Sequence, residues 1–240
     1  MQHRLALAVA ALATTGLLAG CGDDSTGADP SPTGTPTSTP TSPASLGKDV
    51  LLTDDDTVYS DGADWFRTEA FEGDGQDVFN PCTRESLEGT GATSVFRANF
   101  ELRNSAAKAP EVNGDFLTQV VGEYADEAAA TAAYDEITGW LAHCSPRPEG
   151  MEEYRSQPPR EVKVDGATAQ IVDSTYGPAP KEIDPTGDAA YIMETGLVRQ
   201  GARLSVLTSV IVGQDYNFTE EDGGTPVNRM LPKVAARMTP

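Results

Sequence analysis

The chain has 240 residues, 17 of them basic and 37 acidic, for a net charge of −20. That balance excludes nucleic acid as a partner and excludes charge-driven adhesion to anionic lipid. Arginine outnumbers lysine, and alanine, glycine and threonine are abundant, a usage that suits a high-GC genome such as an actinobacterium.

After a short start containing Arg4, residues 5–19 form an apolar stretch interrupted only at Thr14, Thr15 and Gly16. Its length matches a signal-peptide core and falls short of the roughly 20 apolar residues that a membrane span needs. The stretch ends in Leu18-Ala19-Gly20-Cys21. Small residues before the cut suit a signal peptidase, and a cysteine directly after them resembles the bacterial lipobox. The resemblance implies cleavage after Gly20, a diacylglycerol on Cys21 and acylation of the new N-terminus. Two or more acyl chains anchor stably where one binds only marginally. Residues 1–20 are therefore read as a lipoprotein signal peptide, with Cys21 as the attachment to the membrane. An ordinary cleaved signal followed by a free cysteine is the alternative.

Residues 21–46 comprise the lipidated cysteine and a stalk. The stalk is built almost entirely from Ser, Thr, Pro, Gly, Asp and Ala and includes Thr35-Pro36-Thr37-Ser38-Thr39-Pro40-Thr41. Such a composition buries too little apolar surface to offset the entropy of ordering. The expectation is a disordered spacer whose reach lies between roughly 30 Å as a coil and roughly 80 Å extended.

Residues 47–240 are long enough for a single globular domain with a sizeable core. With Cys21 acylated, Cys82 and Cys144 remain, and an even count in an oxidising compartment reads as one disulfide. The loop closed by the pair is about 60 residues, for which loop-closure entropy gives about 4 kcal/mol. A pair of buried free thiols is the alternative.

Within the domain, Asn80-Pro81 predicts a short helix, with Asn as N-cap and Pro in first position, carrying Cys82 and Leu87 and stopping at Gly89. Residues 92–103 predict a strand, since Ala98, Phe100 and Leu102 alternate with polar neighbours. Residues 115–124 predict a second. The period then changes: Ala129, Ala133, Ile137, Trp140, Leu141 and Cys144 fall at helical spacing behind Asp126 and Glu127. Residues 161–164 and 168–176 form a hairpin about Asp165-Gly166, and 189–199 and 202–213 another about Gln200-Gly201. A last helix starts with Thr225 as N-cap and Pro226 in first position, with Val227, Met230, Leu231, Val234 and Met238 as its stripe. Hairpins dominate and βαβ alternation is absent. The predicted class is α+β: an antiparallel sheet of about six strands with helices packed on one face.

A strand into Tyr124-Ala125-Asp126, an alanine-rich helix, then Trp140 and Cys144, with Cys82 upstream, resembles the extracellular sensor domains of actinobacteria. These occur as free lipoproteins and as the outer part of a mycobacterial receptor serine/threonine kinase. The resemblance spans roughly residues 75–240. It implies an antiparallel sheet with helices, a disulfide, and a cleft proposed to take a ligand. This chain has one candidate disulfide where the kinase sensor has two, and no ligand-binding residue is carried over.

Chemistry-bearing patterns are sparse. His143 and Cys144 are adjacent, but neighbouring helix residues point about 100° apart, and Cys144 is better used in the disulfide. One histidine in the mature chain leaves any zinc site to thiolates and carboxylates, and no cluster has the spacing. Asp54-Asp55-Asp56 lacks a calcium-loop pattern and reads as a solvated turn, as does Glu220-Glu221-Asp222-Gly223-Gly224. Gly89-Thr90-Gly91 lacks the lysine of a phosphate loop, and no Gly-x-Ser-x-Gly elbow is present. Trp65-Phe66 and Phe71 read as a loop pinned on the core, or as a binding patch if exposed. Asn217-Phe218-Thr219 matches a glycosylation pattern that a bacterial chain leaves unused. Glu101 and Asp173, in strands, are the carboxylates to check for burial. No catalytic residue, cofactor or metal is assigned. The expectation is a non-catalytic sensor or ligand-binding lipoprotein on the outer face of the bacterial cell membrane, its partner an unknown small ligand. The alternative is an interaction or structural protein with a macromolecular envelope partner. A carboxylate-based hydrolase ranks third.

Overall fold

The computed structural model describes residues 46–60, 62–73, 80–104, 115–144, 151–213, 218 and 223–239. The segment read as a signal peptide, Cys21, the segment read as a stalk up to residue 45, Asn217 and residues 219–222 lie outside the described residues. One sheet organises the domain. Its strands are β1 (Ala63–Glu72), β2 (Ser94–Asn104), β3 (Phe116–Glu123), β4 (Arg155–Ser156), β5 (Arg160–Val164), β6 (Ala167–Tyr176), β7 (Ala190–Gln200) and β8 (Arg203–Gly213). The spatial order is β1-β2-β3-β8-β7-β6-β4, with β5 also pairing β6, and every pairing is antiparallel. The helices are α1 (Glu127–Ala142) and α2 (Pro226–Met238). The α+β class and the antiparallel sheet are as expected.

The placement of the helices departs from expectation. Helix α1 packs with Val95, Val120, Val172, Leu197, Leu204 and Val206. Helix α2 packs with Phe96, Phe100, Leu117, Val121, Val198 and Leu207. Neighbours in one strand, such as Leu197 and Val198 or Val206 and Leu207, thus belong to different cores. Successive strand side chains point to opposite faces, so the helices cover both faces of the sheet and not one. The cause is written in β8, whose residues Arg203–Ile211 are all buried. Burial of nine consecutive residues, five apolar and four polar, requires cover on both faces of the strand.

The strand count is also higher, because β1 and β4 join the sheet. Residues 63–72, expected as a loop, are an edge strand, and Trp65 lies in the core with no exposure. The pairing with β2 shifts register between Arg67 and Glu69, so the alternation of faces breaks at Thr68. The outer edge of β1 is occupied. Ser60 N–H donates to the Ala63 carbonyl, Thr57 Oγ1 to the Trp65 carbonyl, Lys48 Nζ to the Ala70 carbonyl, and Arg67 N–H to Asp54 Oδ1.

That plug belongs to an N-terminal segment lying on the α2 face. Leu51 and Leu52 are fully buried, and Leu46 already belongs to the core. Leu52 N–H donates to Oε1 of the buried Gln119 at 2.7 Å, and Leu46 N–H to Glu123 Oε2 at 3.3 Å. Arg229, Lys233 and Arg237 sit four residues apart on one side of α2. They donate to the Tyr59 carbonyl, the Asp56 carbonyl and Asp56 Oδ2 at 2.5, 2.7 and 2.5 Å. Arg237 also reaches the Asp49 carbonyl and Thr53 Oγ1, both at 3.1 Å.

Local signals explain the ends of the elements. Asp126 caps α1 by accepting Ala129 N–H at 2.8 Å, and Thr225 caps α2 by accepting Asn228 N–H at 3.4 Å. The expected helix from Asn80 is instead a series of turns. Asn80 does use its cap chemistry, accepting Cys82 N–H at 2.8 Å, but its amide donates to Thr195 Oγ1 on β7 at 2.8 Å. With Asn80 tied to the sheet and Cys82 drawn to Cys144, the turn does not propagate. Gly196 on β7 marks the closest approach of α2: a Cβ there would stand 2.6 Å from Leu231 Cδ2 and 2.7 Å from Val227 Cγ1.

Candidate functional site

Cys82 and Cys144 are joined by a disulfide, with Cα atoms 5.1 Å apart. Cys144 lies just beyond α1, whose C-cap is His143. The bond ties that helix end to the Asn80 turns. Tyr154 Oη donates to Cys82 Sγ at 2.8 Å, a bonded sulfur having no proton to give. The exposed His143 places Nδ1 3.1 Å from the Gly139 carbonyl of the preceding turn, which occupies the ring in ending the helix.

Two residues of the acidic run at 54–56 are taken up by the fold, and Asp55 is exposed. Asp54 accepts the Arg67 amide, while Asp56 accepts the amide and hydroxyl of Thr53, each at 2.9 Å, and the Arg237 guanidinium. Burial acts to raise the Asp56 pKa, but Thr53 and Arg237 together outweigh it and hold the carboxyl below its ordinary value. Among the described residues, no group of three His, Cys, Asp or Glu side chains is arranged to hold a metal ion, and no helix is long and apolar enough to cross a membrane. Gly89-Thr90-Gly91 forms turns leading into β2, with the Thr90 and Tyr124 hydroxyls 2.8 Å apart.

Neither strand carboxylate singled out above is buried. Glu101 pairs with Arg103, and Asp173 lies 3.5 Å from Arg160. Among the described residues the buried carboxylates are Glu194 and Asp115. Glu194 is the cross-strand neighbour of Asp173 and accepts the Thr225 hydroxyl and the Val227 amide at the start of α2. The signal for it was a lone acid inside the apolar run Tyr191-Ile192-Met193-Glu194-Thr195-Gly196-Leu197-Val198. Asp115 accepts Val212 N–H at 2.8 Å. Burial pushes its carboxyl up to about 6, against the pull of that hydrogen bond.

The candidate site lies at one corner of the sheet, where β4 and the β6–β7 connection enclose a groove of about 350 Å3. Tyr176 and Tyr191, paired across β6 and β7, stack at 4.7 Å with ring planes 12° apart. Burial, and then the neighbouring Tyr191, push the Tyr176 hydroxyl up to about 12, so it stays a neutral donor. Gly177 N–H donates to the Glu152 carbonyl and Ala179 N–H to the Ala189 carbonyl, at 2.9 and 2.8 Å. These bonds extend the sheet into the groove wall. Gly177 packs closely there: a Cβ would stand 3.2 Å from Ala190 Cα, a tight contact.

Asp184 fixes the opposite wall. It accepts the hydroxyl and amide of Thr186 at 2.6 and 3.1 Å and the amide of Ala189 at 2.6 Å. The Thr186 hydroxyl first, and the Ala189 amide next, hold its carboxyl below the usual range. Glu153, Arg155 and Asp188 line the groove. Glu153 has φ of 50°, the one non-glycine residue with positive φ among those described. A long side chain held in that region is strained, and such strain concentrates at ligand sites. None of these groove residues was picked from sequence. The polar, proline-rich stretch around them has no periodicity, and only tertiary folding brings residues 153–155 against 176–190.

The sequence matches no protein-family model and no curated protein. Among solved structures, the fold is similar to the extracellular domain of PknH from Mycobacterium tuberculosis, with a TM-score of 0.46 at 10% identity, over 71% of this chain and 84% of that one.

Proposed function

We propose that this chain is an extracytoplasmic, lipid-anchored ligand-binding protein of the sensor type, without catalytic activity. The groove bounded by β4 and the β6–β7 connection is its ligand site. The address rests on Leu18–Cys21 and on the stalk composition. The observation that carries the binding role is the groove itself: its walls are fixed by Asp184 and by backbone pairing, while the charged groups of Glu153, Arg155 and Asp188 form no ion pair among the described residues. Polar groups held ready in a fixed concavity are what a binding site needs. Neither buried acid lines this groove: Glu194 caps α2, and Asp115 accepts the Val212 amide on β8.

The test has two arms. In a Gram-positive host the protein should partition into detergent, and Cys21→Ala should release it or leave it unprocessed. Equal membrane retention of a signal-free Cys21→Ala variant would refute the anchor. Hydrolysis of cell-wall glycans or peptides by the purified protein, abolished by substituting one carboxylate, would refute the non-catalytic role.

A further inference from the structure

Resting on the reading of this groove as a ligand site, we propose that it takes a zwitterion: an amino acid or short peptide with both termini free. The carboxylate meets Arg155, the ammonium meets Glu153 and Asp188, and short apolar side chains lie on Pro178, Ala189 and Ala190.

The groups present decide among ligand classes. One cation and two anions line the same groove, exposed and without an ion pair among the described residues. Among the described residues, Arg155 is the one cation in the groove lining, and Arg160 lies outside it, 3.5 Å from Asp173 and 3.6 Å from Glu194. A ligand that fills the groove strips water from these charges, and each must then find a partner or lose stability. A neutral sugar can hydrogen-bond all three, but it brings no opposite charge to offset the cost of taking these ions out of water. A plain anion satisfies Arg155, but it faces Glu153, Asp188 and the field of a chain with net charge −20. A plain cation satisfies the carboxylates and leaves Arg155 opposed. A molecule bearing both signs answers both sets, and the planar fork of arginine suits a carboxylate in particular. A volume of about 350 Å3 sits at the small end of ligand sites, which favours one or two residues over a folded polypeptide. The neutral phenol of Tyr176 adds a donor without adding charge.

The experiment is isothermal titration of the full exported chain in detergent micelles. The probes are free dialanine, N-acetyl-dialanine, dialanine amide and a neutral disaccharide. Free dialanine should bind, and blocking either terminus should weaken it by about tenfold or more, the loss of one charge-assisted hydrogen bond. Arg155→Met should weaken free dialanine by about as much while barely changing the amide. Because Arg155 is exposed, this variant should keep the parent circular dichroism. Binding of dialanine with no sensitivity to Arg155→Met would overturn the assignment of the groove. Binding of the disaccharide but not the peptide, lost in Arg155→Met, would overturn the zwitterion and leave the ligand-binding reading standing. Heat from none of the four probes would overturn both.

Discussion

Glu194, in the middle of β7, accepts the backbone N–H of Val227 in the first turn of α2 at 3.1 Å. The same carboxylate accepts the Thr225 hydroxyl, and Arg160 stands 3.6 Å away. A strand side chain thereby supplies the cap that fixes where a helix begins on the sheet. A buried anion at a helix N-terminus is favoured by the dipole as well as by hydrogen bonds. Glu194→Ala should cost about 3 kcal/mol, since it leaves the buried donors unpaired. Glu194→Gln, which keeps an acceptor, should cost less. Urea denaturation of the two variants measures the difference, and equal losses would show that the capping contacts are not the source.

Two glycines make an opposed pair. Gly196→Ala should destabilise by about 1–3 kcal/mol through overpacking, because the new methyl meets Leu231 and Val227 inside contact distance. Gly139, within α1, has no atom within 4 Å of where its Cβ would stand. Gly139→Ala should stabilise by about 0.5–1 kcal/mol through helix propensity alone. Thermal denaturation of both resolves the sign.

Asp115 sets a pH dependence. Its folded pKa of about 6 lies above the value near 3.9 of an unfolded aspartate, so the folded chain holds the proton more tightly. The contribution is fully present below about pH 4 and is lost as pH rises through about 6. Asp115→Asn keeps an acceptor for Val212 N–H and removes the charge. It should therefore gain about 2–3 kcal/mol over the parent at pH 7.5 and show little gain at pH 4. Stability curves for both proteins across that range check it; a constant offset would refute the assignment.

The Cys82–Cys144 bond closes a separation of 62 residues. Cys82→Ser and Cys144→Ser should each cost about 4 kcal/mol, and the double variant little more than either. Non-reducing peptide mass mapping of exported protein should return the linked pair. Free thiols at both positions would refute it.

Much of the fold was legible where local physics and tertiary packing agree. The hairpins turning at Gly166 and Gly201 have positive φ at those glycines, as turn chemistry requires. The stripe Val227, Met230, Leu231, Val234 and Met238 faces the core as read. Strand β1 was hidden because its register shift near Thr68 breaks the alternation that marks a strand. The Asn80 helix was misread because its cap signal is genuine and a disulfide and a long-range hydrogen bond override its continuation. Double coverage of the sheet was hidden in β8, where Arg203, Ser205, Thr208 and Ser209 interrupt the apolar residues although all four are buried. The groove was illegible for a different reason: its charges come from segments some 35 residues apart whose meeting no local pattern encodes.

The segment clamped along α2 has a mechanical consequence. Tension applied to the chain ahead of Leu46 reaches its attachments in sequence: Glu123 first, then the contacts of Lys48 and Asp49, then the Leu52–Gln119 bond and the Asp56 clamp. Bonds loaded one after another yield at low force, whereas the eight-stranded sheet behind them shares its load. Residues 46–60 should act as a fuse, releasing at most about 50 Å of extended chain before the strands are disturbed. Force spectroscopy should record that short extension ahead of the main unfolding event, and Arg237→Ala should lower the force at which it occurs.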